Sequence, residues 1–101
     1  MWDSVYFGTI SVGTAPVGLN LSFIAPSGSP PSQAVLIQIE SGAIRFRIDK
    51  GGTPTAAAGG GLELFAGKSV LITSNPDLRN FLAIRRENEI VNALILVNYL
   101  R

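Results

Sequence analysis

The stretch from 33 to 49, QAVLIQIESGAIRFRID, constrains this chain most. Two apolar-rich runs of strand length flank Ser41-Gly42, a pair suited to a tight turn because Gly tolerates positive φ. Val35, Ile37 and Ile39 alternate with Leu36, Gln38 and Glu40; Ile44, Phe46 and Ile48 alternate with Arg45, Arg47 and Asp49. A period of two puts each leading trio on one face of a sheet, so the stretch predicts a β-hairpin with an apolar inner face. The outer face carries Arg45 and Arg47, which need carboxylate partners or open water. Glu40 lies close across the turn and Asp49 follows in the same run, a spacing that suits structural ion pairs better than an acid–base pair.

The remaining chain also reads as strands. Residues 5–12 are rich in β-branched and aromatic types. Leu19, Leu21 and Phe23 mark a half-buried strand, and the proline-rich APSGSPPS after it is a surface loop. KGGTPTAAAGGG is a further loop; it lacks the Lys-Ser/Thr ending of a phosphate-binding motif. Short strands follow at Leu62–Phe65 and Ser69–Ser74 about an Ala66-Gly67-Lys68 turn. Asn75-Pro76-Asp77 reads as a turn, NFLAIRR as a strand and Glu87-Asn88-Glu89 as another turn. The last run, IVNALILVNYL, is apolar on both faces from Ala93 to Val97. Either a neighbouring subunit covers its second face, the preferred reading, or it is the covered central strand of a small closed barrel.

The fold class is therefore all-β: an antiparallel sandwich or small barrel, jelly-roll-like, of about eight short strands. One domain spans 1–101, with residues 1–4 as an arm whose Trp2 either plugs the core edge or touches another chain. The expected inner face is Val35, Ile37, Ile39, Ile44, Phe46, Ile48, Leu71, Ile84 and Leu96.

Composition excludes several functions. A chain with 47% apolar and 15% charged residues is not disordered. A net charge of +1, with basic residues scattered, offers no nucleic-acid footprint. The absence of Cys and His removes the thiolate nucleophile, the usual neutral-pH base and the commonest transition-metal ligand. No catalytic residue, metal or cofactor is assigned, and the chain reads as a non-enzyme. The first residues lack the basic leader and apolar core of a signal peptide, and ALILVNYL is far too short to span a bilayer. The expected place of synthesis is the cytoplasm, with release by lysis.

Several segments together carry a resemblance. They are Ile39-Glu40-Ser41-Gly42, Arg45-Phe46-Arg47-Ile48-Asp49, Gly52-Thr53-Pro54-Thr55-Ala56, Leu64 to Gly67, Asn80-Phe81 through Ile84-Arg85, and Val97-Asn98-Tyr99. In this order they resemble a group of small tailed-bacteriophage proteins encoded among virion-morphogenesis genes, over roughly residues 19–101. The triple glycine at 59–61 departs from that pattern, in which a single Gly usually precedes the next strand. The resemblance implies a virion structural protein made in the host cytoplasm. The leading expectation is an oligomeric decoration or cement protein that stabilises the capsid, partnered by itself and by the major capsid protein. The alternatives are a neck or tail adaptor and a virion carbohydrate-binding module. Expected interface residues are Trp2, Leu36, Arg45, Arg47, Leu94 and Tyr99, with the 91–100 strand at or beside the contact in a ring of three or more.

Overall fold

The computed structural model describes residues 4–20, 33–57 and 59–100, with Ser4 and Val5 as backbone only. Trp2 with the expected arm up to Asp3, Leu21, Phe23 and the APSGSPPS loop lie outside the described residues, and Ser4, the last residue of that expected arm, begins the first strand. Within them the chain runs β1 (Ser4–Val12), β2 (Val17–Gly18), β3 (Ala34–Ser41), β4 (Ala43–Arg47), β5 (Leu62–Phe65), β6 (Ser69–Ile72), α1 (Asn75–Asn80), β7 (Leu82–Arg85) and β8 (Ala93–Leu100).

Two four-stranded sheets form, β1-β8-β3-β6 (sheet A) and β2-β7-β4-β5 (sheet B). All pairings are antiparallel, and they join β1 to β8, β2 to β7, β3 to β6 and β4 to β5. That nesting is a long two-stranded ribbon rolled upon itself: the jelly roll, a two-layer answer to the problem of exposed sheet edges. The expected all-β sandwich is therefore the fold, with the strand order of the jelly-roll form.

The 33–49 stretch is nevertheless not a hairpin. β3 pairs with β6 and β8 in sheet A, whereas β4 pairs with β5 and β7 in sheet B. Gly42 marks the corner where the chain leaves one sheet for the other. Its φ is +78°, and a Cβ there would sit 3.0 Å from the Cα of Ala93, so both backbone conformation and close approach require glycine. The β5–β6 turn is a second corner stapled to the first. Gly67 N–H donates to the Ile39 carbonyl (2.9 Å), Ile39 N–H to that of Lys68 (2.9 Å), and Ala66 N–H to that of Gly42 (3.0 Å).

The core lies between the sheets. Val35, Ile37, Ile39, Ile44 and Phe46 are buried as expected, joined by Ile95, Val97 and Tyr99 from β8 and capped by Leu78 and Phe81. The Phe46 and Phe81 rings stack with centroids 5.5 Å apart. Ile48 packs against this cluster while only partly buried.

Three expected core residues face the other way. Leu71 opposes Leu36 in the register and is 46% exposed, leaving Val70 and Ile72 to fill the core. Leu96 opposes Gln38 on the outside while Ile95 and Val97 point inward. Ile84 is buried, but it opposes Arg45 on the outer face of sheet B and does not belong to the core cluster. The Asn75-Pro76-Asp77 segment, expected as a turn, opens the single-turn helix α1 after Ser74, with Pro at its first turn.

Candidate protein interface

The two outer faces of the sandwich differ sharply. On sheet B the outward side chains of β4 and β5 include Arg45, Arg47 and Glu63, and the chain between β4 and β5 lies over them. Pro54 and Gly52 of that connection are buried. A Cβ on Gly61 would lie 2.9 Å from the carbonyl oxygen of Phe46, so the connection returns in direct contact with the β4 backbone. The Gly-Ala segment is thus a folded cover whose small residues allow close approach.

Arg45 anchors that cover. Its Nη2 lies 3.1 Å from Glu63 Oε2, its Nε donates to the Ala56 carbonyl (3.2 Å), and its side chain is only 11% exposed. The Ala56 carbonyl also accepts from Glu87 N–H at 2.9 Å. Glu63 Oε1 pairs with Arg86 Nη1 (3.3 Å), and Arg86 Nη2 reaches Glu89 Oε1 (3.4 Å), so charges alternate along Arg45, Glu63, Arg86 and Glu89. Arg45 is largely buried and paired within its own chain, which corrects its expected place on the open surface. Its partner is Glu63, opposite it in the β4–β5 register, rather than Glu40.

Arg47 is half-exposed and also paired. It grips Asp49 in two-pronged fashion, Nε to Oδ1 at 2.9 Å and Nη2 to Oδ2 at 2.6 Å. The Arg47 hydrogen bond holds the Asp49 carboxyl below its ordinary range.

Among the described residues, the outer face of sheet A is neither covered nor charged in this way. Strand register aligns its side chains in rows across the sheet. Phe7, Asn98, Leu36 and Leu71 form one row, and Thr9, Leu96, Gln38 and Ser69 the next. Leu94 follows, between Ser11 and Ser41. Phe7 is 58% exposed, Leu36 41% and Leu94 36%. Among the described outward positions of these rows the charge is Glu40, with Lys68 in the turn before β6. At the same end of the sheet, the β7–β8 connection leaves Ile90 92% exposed. Isolated surface leucines are ordinary, but a contiguous sheet face of low charge with projecting Phe and Leu makes this the candidate contact surface.

Leu36 and Leu94 thus stand on that face. Tyr99 does not: it is 2% exposed, its hydroxyl accepts from Asn20 N–H (2.9 Å), and burial raises its pKa. It is a core residue, which corrects its place among the expected contacts. Phe7 and Ile90 were not singled out by the sequence reading, and Leu71 was placed on the inner face. The signal for Phe7 was available in the alternation of VYFGTISV, where it falls opposite to Gly8 and Ile10. Among the aromatics, Tyr6, Phe7 and Phe65 are exposed.

A cavity of about 100 Å³ is lined by Tyr6, Gly8, Thr9, Ile10, Asn20, Val97 and Tyr99. Small-molecule sites measure roughly 300–1,000 Å³, so this one accommodates a few waters. Comparison of the chain with known protein families, curated proteins and solved structures gave no match.

Proposed function

We propose that this chain is a structural component of a tailed-phage virion. In this reading it is an oligomeric protein that decorates and stabilises the capsid through contacts with its own copies and with the major capsid protein. The observation that carries the reading is the asymmetry of the sandwich: one face covered by the Gly-Ala segment over a run of ion pairs, the other poor in charge and without such a cover among the described residues, with Phe7, Leu36, Leu71 and Leu94 projecting from it. Burying such a face against a protein gains about 25 cal/mol per Å² of apolar area and desolvates almost no charge. The jelly roll itself implies no function; the virion assignment draws on the family resemblance, and the contact role on the face.

Mass spectrometry of purified particles tests the proposal. The chain should be present at a copy number matching the capsid symmetry. A copy number set by a single vertex would move it to the neck or tail, and absence from purified particles would end the virion reading.

A further inference from the structure

We propose that the β7–β8 connection anchors this chain to a different virion protein: Ile90 and Val91 enter an apolar slot on that protein, and Glu87 beside them meets a basic side chain at its rim. The inference rests on the assembly reading above and assigns one of its contacts. Ile90 is 92% exposed and Val91 62%, yet the loop that carries them is held from both sides. Arg86 N–H donates to the Ala43 carbonyl (3.0 Å), Glu87 N–H to that of Ala56 (2.9 Å) and Glu89 N–H to that of Arg86 (3.3 Å). Asn88 closes the turn at a φ of +69°. On the other side, Asn92 Oδ1 accepts from Arg85 Nη1 (3.2 Å) and Asn92 Nδ2 donates to Ser11 Oγ (3.3 Å). The run of ion pairs from Arg45 through Glu63 and Arg86 to Glu89 therefore ends at the base of this loop. Two β-branched side chains held outward have little rotamer freedom left to lose on binding.

The loop lies at the Ala93 end of β8. Ser4, Asn20 and Gln33 are at the other end, opposite Leu100 or bonded to Tyr99 and Leu100. About 23 Å of strand separates the two ends. The twelve residues between Asn20 and Gln33 could span that distance out and back only at full extension, and the three before Ser4 could not span it.

The chemistry of the loop identifies the occupant. Glu87 through Asn92 include two acids and neither a base nor an aromatic residue. Lipid surfaces are met by basic and interfacial aromatic side chains, so this loop suits a protein. A two-fold contact between copies through the tip would set Glu87 against its own counterpart, which disfavours a second copy. Glu87 is exposed, and among the described residues its carboxylate makes no ion pair, so it is open to a basic group of another chain. Leu94 stands at the same end, on the outer face of sheet A. One partner lying on that face reaches the tip as well.

Wild-type and Ile90→Ser chains, made together in one infection and counted in purified particles by mass spectrometry, test the anchor. Ile90 is exposed, so the variant should melt like the wild type, and it should be under-represented in particles by about tenfold or more. Glu87→Lys should be lost to a similar extent, with Glu87→Gln between it and the wild type. Equal incorporation of Ile90→Ser overturns the anchor and leaves the virion reading standing; absence of the wild-type chain from particles overturns both. Light scattering and vesicle flotation check the occupant. A lower solution mass for Ile90→Ser would give the tip to a second copy. Wild-type flotation with phosphatidylcholine–phosphatidylglycerol vesicles, lost in Ile90→Ser, would give it to a membrane. Either result overturns the partner assigned here.

Discussion

Replacing Arg45 with Met tests how the cover on sheet B is held. The substitution keeps most of the aliphatic stem, so packing against the Gly-Ala segment changes little. It removes the 3.1 Å ion pair to Glu63 and the 3.2 Å hydrogen bond to the Ala56 carbonyl. A hydrogen bond involving a charged group contributes about 1.5–3 kcal/mol net, and breaking a buried pair costs about 3–5 kcal/mol when the partner is left alone. Here neither partner is orphaned: Glu63 keeps Arg86, and Ala56 keeps the Glu87 N–H. The cost should therefore fall near the lower range, about 2 kcal/mol. With a urea m-value of about 1–2 kcal/mol/M, the unfolding midpoint should drop by about 1–2 M. Arg47→Met is the matched control, since its pair with Asp49 is solvent-exposed and should leave the midpoint where it was. A wild-type midpoint for Arg45→Met, or the larger loss in Arg47→Met, would refute the anchoring role.

Other consequences are as direct. Phe46→Ala, which removes a ring stacked on Phe81 in the core, should cost about 3–5 kcal/mol in a denaturant melt. Gly42→Ala forces a side chain into positive φ against Ala93 and should cost about 1–3 kcal/mol, whereas Ser41→Ala should be nearly silent. Burial raises the Tyr99 pKa in the folded state, so its contribution is complete below pH 10 and is lost as pH rises through the folded value. Wild-type stability should fall above pH 10, and Tyr99→Phe should flatten that part of the pH profile.

How far the sequence reveals this fold depends on what period-two patterning encodes. It encodes which residues share a face, and the trios Val35/Ile37/Ile39 and Ile44/Phe46/Ile48 were legible for that reason. It does not encode whether two consecutive strands pair. A Gly turn looks the same whether it closes a hairpin or turns a corner between sheets, and Gly42 does the latter because β6 and β8 flank β3. Patterning also fails to fix direction in strands apolar on both faces, so Leu71 and Leu96 were placed inside when Val70, Ile72, Ile95 and Val97 occupy that side. Ile84 is buried on the outer side of sheet B, opposite Arg45, a placement no alternation announces. The Ser-Asn-Pro-Asp segment combines turn chemistry with a helix start, and a helix of one turn satisfies both. For the candidate interface, outward Leu36 and Leu94 were readable from alternation, whereas the Arg45–Glu63 pair arises from register across a long connection.

The most direct test of the bare face of sheet A is particle incorporation of Leu94→Lys. Leu94 is 36% exposed between Ser11 and Ser41 on a central strand, so a lysine there can reach solvent in the isolated protein, and folding should survive. On docking, that charge would be buried without a partner. The account predicts a variant that is soluble, melts like the wild type and is missing from purified particles. Incorporation at the wild-type copy number would contradict it.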